Sequence, residues 1–249
     1  MKYNIVVIDG NNLIFRAFYA HQDQIAGVVS MIQGIKRRWD ASTYICVFDK
    51  PKSNLFRRYL SNVYKDGRHK DFDIAEAIQL VVPAIKRIGV HTWEAPAHYE
   101  ADDVIGTIAI SKGTPDLPSL VVSSDKDFLQ LVHPTVQVCL LKNGGLDKAV
   151  IHTHSNFYEF VGVYPRQYLA YKVLIGDKSD NVQGVYRIGH STAVKLLNKY
   201  HTLENVLLSD EFKKYLQDEE LSTVFNRLVV NESIMRIRLM VPLSTITIL

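Results

Sequence analysis

Cysteine is scarce in this chain of 249 residues, which holds only Cys46 and Cys139. Each lies in an apolar strand-like run with no second Cys or His at ligand spacing, so a disulfide framework, a zinc site and a redox pair are all excluded. Both read as reduced, buried packing residues. Long apolar runs are lacking too. Asn4 to Ile8 and Leu80 to Val82 fall far short of the ~20 residues that cross a bilayer, and the start Met-Lys-Tyr-Asn carries no signal-peptide core. A soluble, cytoplasmic protein with no membrane partner is expected. Internal repeats and low-complexity tracts are also missing, and 47% hydrophobic with 22% charged residues fits one large domain, or one domain with a smaller companion.

Acid is nearly absent from one stretch. Between Lys50 and Lys70 stand Lys50, Lys52, Arg57, Arg58, Lys65, Arg68 and Lys70 against Asp66 alone. The net charge of +3 says little by itself. A basic run this lopsided, interleaved with Phe56, Tyr59 and Tyr64, suits phosphate contacts and base stacking. Tyr64 is read either as stacking on an unpaired base or as buried packing.

Apolar β-branched runs alternate with amphipathic segments over the first 150 or so residues, the pattern of a parallel sheet flanked by helices. Strands are predicted at Asn4 to Ile8, Tyr44 to Phe48, Val90 to Trp93, Leu120 to Ser123 and Val136 to Leu141. Helices are predicted at Ile25 to Trp39, Ile74 to Ile88 and Ala101 to Ser111. After Asn143-Gly-Gly the β character fades, and from about Pro165 short helices take over: Arg166 to Ile175, Ser191 to Tyr200 and Leu221 to Asn231. Met235 to Leu243 reads as a strand. The expected division is an α/β core over 1–164, with a basic segment at about 50–99, and a helical domain over 165–249.

In an open parallel sheet the residues just beyond the strand ends form the site, and here they are acidic at nearly every strand. Asp9 follows the first, Asp49 the second, Glu100, Asp102 and Asp103 lie beyond the third, and Asp125 and Asp127 follow the fourth. Asp177 and Asp180 open the helical domain. Singly, each has a plainer explanation as a turn residue, a helix cap or first-turn charge. Gathered on one edge they would repel unless cations sat among them. With no His or Cys in the set the ligands are hard oxygens, which favours magnesium or manganese, and two such ions catalyse phosphodiester hydrolysis. A haloacid-dehalogenase-like phosphatase would want a second Asp two residues after Asp9, where Asn11 stands.

Taken in order, Ile8-Asp-Gly-Asn-Asn-Leu, Phe48-Asp49, Phe56-Arg-Arg, Tyr64-Lys-Asp-Gly-Arg68, Glu100-Ala-Asp-Asp, Ser124-Asp-Lys-Asp127, Gly176-Asp-Lys-Ser-Asp-Asn181 and Gly184-Val-Tyr-Arg-Ile-Gly189 make the sequence resemble the 5′-3′ exonuclease and flap endonuclease family, along nearly its whole length. The resemblance implies a PIN-like core with a helix-three-turn-helix module, acting on DNA with 5′ ends, flaps or branches and leaving 5′-phosphate and 3′-hydroxyl. It implies a monomer working with replication or repair proteins in a bacterial or phage-infected cell. Asp9, Asp49, Glu100, Asp102 and Asp103 are similar to the family's ligands for one magnesium or manganese ion. Asp125, Asp127, Asp177 and Asp180 are similar to those for a second. Lys65 and Arg68 resemble the basic pair that acts on the scissile phosphate, with Asp102 and Asp125 counted with them as catalytic. Arg57, Arg58, Tyr64 and Lys70 extend the DNA-binding set.

The resemblance further implies potassium held by the backbone carbonyls of Leu174, Ile175, Gln183, Val185 and Ile188, beside a DNA phosphate met by Gly184, Arg187, Gly189, His190 and Ser191. Three positions depart from the family's pattern. Gln183 replaces a proline, Arg187 a glycine and Ser191 a lysine, which implies a weaker hold on the cation and the downstream duplex, with Arg187 and His190 as substitute phosphate contacts. A catalytically weakened junction-binding protein of the same fold and a PIN-type ribonuclease are the competing readings.

Overall fold

The computed structural model describes residues 2–20, 23–53, 55–67, 72–217 and 219–249. In chain order its elements are β1 (Lys2–Asp9), α1 (Gly10–Ala20), α2 (Gln24–Arg38), β2 (Asp40–Phe48), α3 (Phe56–Leu60), α4 (Ile74–Arg87), β3 (His91–Glu94), α5 (Ala101–Lys112), β4 (Ser119–Ser123), β5 (Val136–Lys142), β6 (Gly145–His152), α6 (Phe157–Val161), α7 (Tyr168–Ile175), β7 (Gly176–Asp177), β8 (Val182–Gln183), α8 (His190–Tyr200), α9 (Leu203–Leu208), α10 (Asp210–Lys213), α11 (Leu221–Met235) and β9 (Thr247–Ile248). They form two compact units. Met1–Leu55, His69–His154 and Ile237–Leu249 make one, and Phe56–Arg68 with Ser155–Arg236 the other. The partition differs from a cut at residue 164: Phe56–Arg68 from the middle of the basic stretch and the chain from Ser155 join the helical unit, and Ile237–Leu249 join the sheet unit.

The sheet runs β6-β5-β4-β1-β2-β3-β9. Its five inner strands are parallel, with antiparallel partners at both edges. Strands buried on both faces read as unbroken apolar runs, and Ile5 to Ile8 and Ile45 to Phe48 do so. Tyr3, Val6, Ile8, Cys46 and Phe48 form one core cluster with Leu13 and Ile14 of α1, Ile32 and Ile35 of α2, and Ile78 and Ile85 of α4. The unit also contains α5, in which Asp103 through Ala109 are all buried. Both cysteines are free and buried, and burial pushes the Cys139 thiol up to about 12. Among the described residues no helix is long and apolar enough to cross a membrane.

Three local expectations need correcting. No helix is predicted before Ile25, yet α1 begins at Gly10. A Cβ on Gly10 would lie 2.4 Å from Cε1 of Phe48, so glycine lets the helix start close against β2. The β character does not end at Asn143-Gly144. That dipeptide is a hairpin turn, and β6 returns along β5 as a half-buried edge strand with weak apolar alternation. Met235 to Leu243 is not a strand: α11 runs to Met235, and its successors form no ladder. Their N–H groups go to side chains instead, Ile237 to Gln130 Oε1 (2.9 Å), Arg238 to Asp103 Oδ1 (2.8 Å) and Val241 to Thr107 Oγ1 (3.2 Å).

Candidate functional site

Strand order explains why acids distant in sequence share one edge. β4, β1, β2 and β3 are neighbours and parallel, so their carboxyl ends lie side by side, and Asp9 ends β1 level with Val47 of β2. Asp9 is 6% exposed. Its carboxylate accepts the Asn12 N–H (3.0 Å) and the Ser123 hydroxyl (2.7 Å), and Ser123 Oγ accepts the Asp125 N–H (3.0 Å). Burial pushes the Asp9 carboxyl up to about 7. The Asn12 and Ser123 hydrogen bonds restrain the rise, and the charges of Asp125 and Asp49 add to it.

Asp49 is held from two sides. Its Oδ1 accepts the Ala101 N–H at the start of α5 (2.7 Å) and its Oδ2 accepts Asn11 Nδ2 (2.9 Å), while Asn11 Oδ1 receives the Asp49 N–H (3.0 Å). Glu100 is buried and caps α5. Asp103 is fully buried, with one oxygen on the Glu100 N–H (3.1 Å) and the other on the Arg238 N–H (2.8 Å). Asp102 is half-buried in the same first turn, and Asp125 is exposed and caps a short 3-10 turn through the Asp127 N–H (2.8 Å). Among the described residues, no three His, Cys, Asp or Glu side chains form a ready metal cage. The donor set nevertheless suits a hard cation: every candidate ligand is a carboxylate oxygen, and the Asp9 charge is penalised by burial and two acidic neighbours, a penalty a divalent ion would remove.

In the helical unit Asp177 Oδ2 meets the Lys172 ammonium at 2.6 Å, and Oδ1 accepts the Ser179 N–H and hydroxyl (2.8 and 2.6 Å) and the Asp180 N–H (3.3 Å). Burial pushes the Asp177 carboxyl up, but the bonds from Lys172 and Ser179 outweigh it and hold the group below the usual carboxylate range. The following loop turns on two glycines. A Cβ on Gly184 would lie 2.4 Å from the Ile175 carbonyl carbon, and one on Gly176 (φ +76) would lie 2.3 Å from the Gly184 nitrogen. Of the expected carbonyl ligands, Leu174 accepts the Val185 N–H (2.8 Å), Val185 the Ile188 N–H (3.1 Å) and Gln183 the Asn231 amide (2.7 Å). Ile175 closes α7 just before the crossing. Gly189, His190 and Ser191 are exposed at the start of α8, and no side chain caps that helix. Exposed N–H groups at a helix N-terminus attract anions.

A family model described as "5′-3′ exonuclease, N-terminal resolvase-like domain" matches residues 4–162, and one described as "5′-3′ exonuclease, C-terminal SAM fold" matches 163–247. The chain belongs to the 5′-3′ exonuclease family. It is 35% identical over 225 residues to DNA polymerase I of Bacillus caldotenax, covering 86% of this chain and 25% of that protein. To thermostable DNA polymerase I of Thermus filiformis it is 32% identical over 250 residues, covering 96% and 29%. The chain thus spans about a quarter of the length of these curated relatives. Among solved structures, T5 5′-exonuclease with divalent zinc bound matches with a TM-score of 0.74 at 22% identity, covering 93% of this chain and 89% of that one. The bacteriophage T5 flap endonuclease in a pseudo-enzyme-product complex with DNA and metal ions matches with a TM-score of 0.69 at 20% identity, covering 92% and 89%. These last two show a shared fold.

Within this exonuclease family member, the structure reassigns several expected DNA contacts. Arg57 is corrected outright. It is 3% exposed, and its guanidinium donates to the Ile234 and Arg236 carbonyls (2.7 and 2.9 Å), so it caps the end of α11 instead of facing DNA. Tyr64 is 4% exposed, which favours the packing alternative over stacking. Gly184 lacks a side chain because its own chain crosses it. Gly189, whose added Cβ would meet nothing within 4 Å, keeps room for an outside group. Arg58 and Arg187 are exposed, Lys65 is half-buried, and Arg68 and Lys70 lie outside the described residues. The residues that sequence reasoning passed over are Asn11, Asn12 and Ser123. Asn12 bridges to Ser124, its Oδ1 accepting the Ser124 N–H at 3.0 Å, so these polar groups bind the ends of β1, β2 and β4 to one another. The signal available was the motif itself: two amides directly after Asp9 and two serines directly before Asp125.

Proposed function

We propose that this protein is a divalent-metal-dependent 5′ nuclease, an exonuclease or flap endonuclease that hydrolyses DNA phosphodiester bonds to leave 5′-phosphate and 3′-hydroxyl ends. The observation that carries the proposal is the buried, charge-crowded Asp9 at the sheet edge, flanked by Asp49 and Asp125, in a chain of the 5′-3′ exonuclease family. Asp9, Asp49, Glu100, Asp102, Asp125 and Asp127 are the side chains of the sheet unit that would hold magnesium or manganese. Asp103, with both oxygens on backbone N–H groups, positions the start of α5. Such an ion supplies charge that stabilises the transition state and activates water for attack on the phosphate. Asn11, Asn12 and Ser123 fix the carboxylates in advance, which saves reorganisation during reaction.

Within the helical unit, Asp177 and Asp180 are the carboxylates for a second ion, and Lys65 and Arg68 are the basic pair for a phosphate. Gly189, His190, Ser191 and Arg187 receive a phosphate of the downstream duplex at the α8 N-terminus, and the loop carbonyls from Leu174 to Ile188 are the donors for potassium. Supporting this part are the open α8 start and the C-terminal family match. Cytoplasmic location, monomeric state and replication or repair partners belong to the same proposal.

The test is cleavage of 5′-flap, nicked and single-stranded DNA with magnesium, with manganese and with chelator, beside Asp102→Asn and Asp177→Asn. We expect metal-dependent cutting lost in both variants. Full cleavage in chelator would overturn the metal reading, and binding to junction DNA with no cleavage under any metal would favour the non-catalytic alternative.

A further inference from the structure

Within the helical unit, the turn Ser61 to Gly67 is bonded both locally and from far along the chain. Inside it the Tyr64 N–H reaches the Ser61 carbonyl and the Asp66 N–H the Val63 carbonyl (3.1 and 3.0 Å), while Val63 is 48% exposed and Asp66 and Gly67 lie open. Three further bonds come from far along the chain. Asn181 Nδ2 donates to the carbonyls of both Val63 (3.0 Å) and Asp66 (2.9 Å), and the Lys65 N–H donates to the Asp180 carbonyl (3.3 Å). The amide therefore grips the turn on both sides of Lys65. Lys65 and Asn181 both adopt left-handed backbone conformations, with φ 53 and 59. Asn tolerates that region and Lys does so only when its surroundings impose it.

We propose that Asn181 is a positioning residue for the nuclease reaction: its side-chain amide clasps the Val63 to Asp66 turn against the loop carrying Asp177 and Asp180, and so fixes where Lys65 presents its charge. The inference rests on the nuclease reading for its kinetic consequences and on geometry for the clasp. An Asp at 181 keeps the size of the side chain but loses both donors. A Gly keeps the left-handed backbone and loses the side chain. Neither change touches the carboxylates of Asp177 or Asp180.

The experiment compares wild type, Asn181→Asp, Asn181→Gly, Lys65→Ala and the Asn181→Gly/Lys65→Ala double variant on a 5′-flap duplex with magnesium, together with amide hydrogen exchange over residues 61–67. Misplacing a group that acts on the transition state lowers kcat. We expect both Asn181 variants to lose on the order of 10- to 100-fold in kcat with KM little changed, because misorientation of about 1 Å costs that much. In the Lys65→Ala background Asn181→Gly should cost less than about 3-fold more, since effects acting through one group do not multiply. Amide exchange at Asp66 should accelerate in Asn181→Gly while Tm holds. Wild-type kcat in both single variants, losses that multiply in the double variant, or unchanged exchange would overturn the clasp. A wild type that cleaves nothing would instead sink the nuclease reading, and with it the kinetic half of the proposal, leaving the exchange result to decide the contact.

Discussion

The hydroxyl of Ser123 stands between two carboxyl residues of one sheet edge, donating to the buried carboxylate of Asp9 at 2.7 Å and accepting the Asp125 N–H at 3.0 Å. It spares Asp9 part of its desolvation and ties the end of β4 to the end of β1. Ser123→Ala removes a charge-assisted bond while leaving the ladder intact. We expect cleavage to fall ~10-fold at limiting magnesium and recover at saturating metal, because second-layer bonds to metal-holding groups are worth about 10- to 100-fold in affinity. A metal titration of cleavage rate checks this, and unchanged half-saturation would contradict it.

Asp9 also sets a pH dependence. Its carboxyl is raised from 3.8 in the ordinary state to about 7 in the folded chain. Between these limits the folded protein holds a proton that the unfolded chain has lost, so stability declines as pH rises through the window, and the full cost of the ionised group is borne above pH 7. In chelator, Tm should be lower at pH 8 than at pH 6. Asp9→Asn should flatten this slope and abolish cleavage. Adding magnesium at pH 8 should raise Tm in wild type more than in Asp9→Asn. A wild-type Tm in chelator that rises from pH 6 to 8 would count against the buried charge as its source.

Arg57 and Arg58 are adjacent, the first buried and the second exposed. Arg57→Ala strips the Ile234 and Arg236 carbonyls of their donors in a buried place, costing about 2 to 4 kcal/mol, or roughly 5 to 15 °C in Tm for a chain this size. DNA affinity of the folded fraction should hold. Arg58→Ala should leave Tm within about 2 °C, as surface changes do, while weakening DNA binding and reducing its salt slope by about 1. Thermal melts and salt-dependent binding isotherms separate the two, and interchange of the effects would refute the assignment.

Asp177 has a structural partner in Lys172. Asp177→Asn removes the carboxylate that meets the largely buried Lys172 ammonium at 2.6 Å, and losing a hydrogen bond between charged groups costs about 1.5 to 3 kcal/mol. Asp125→Asn, at an exposed position, should lose activity with little change in Tm. Because the folded Asp177 carboxyl titrates below its ordinary range, its contribution is present above the unfolded pKa and disappears as pH falls through the folded value. The Tm gap between wild type and Asp177→Asn should therefore begin to narrow near the unfolded carboxylate value of about 4 and vanish only once pH has fallen through the lower folded value. A gap that persists there would place the loss elsewhere.

Much of the sheet was legible because fully buried parallel strands leave unbroken apolar runs, as Ile5 to Ile8 does, and because Asp9 and Asp49 directly follow such runs. The edges were not. β6 lies half-buried at a rim, so its pattern is faint, and the residues after Met235 look strand-like because they are apolar and basic in turn, although their N–H groups bond to Gln130, Asp103 and Thr107. No local pattern could have announced those partners, which lie more than a hundred residues away.

What the sequence determined by itself was chemical kind: hard-oxygen acids after buried strands, a basic run poor in acid, and motifs ordered as in the 5′-3′ exonuclease family. Tertiary structure alone decided what holds each of those groups. Asp103 and Arg57 resemble ligands and DNA contacts in one dimension, yet each is consumed by backbone groups that the fold brings to it. Charge and spacing are local properties of a chain, whereas burial and hydrogen-bond partners depend on segments that meet only once it has folded.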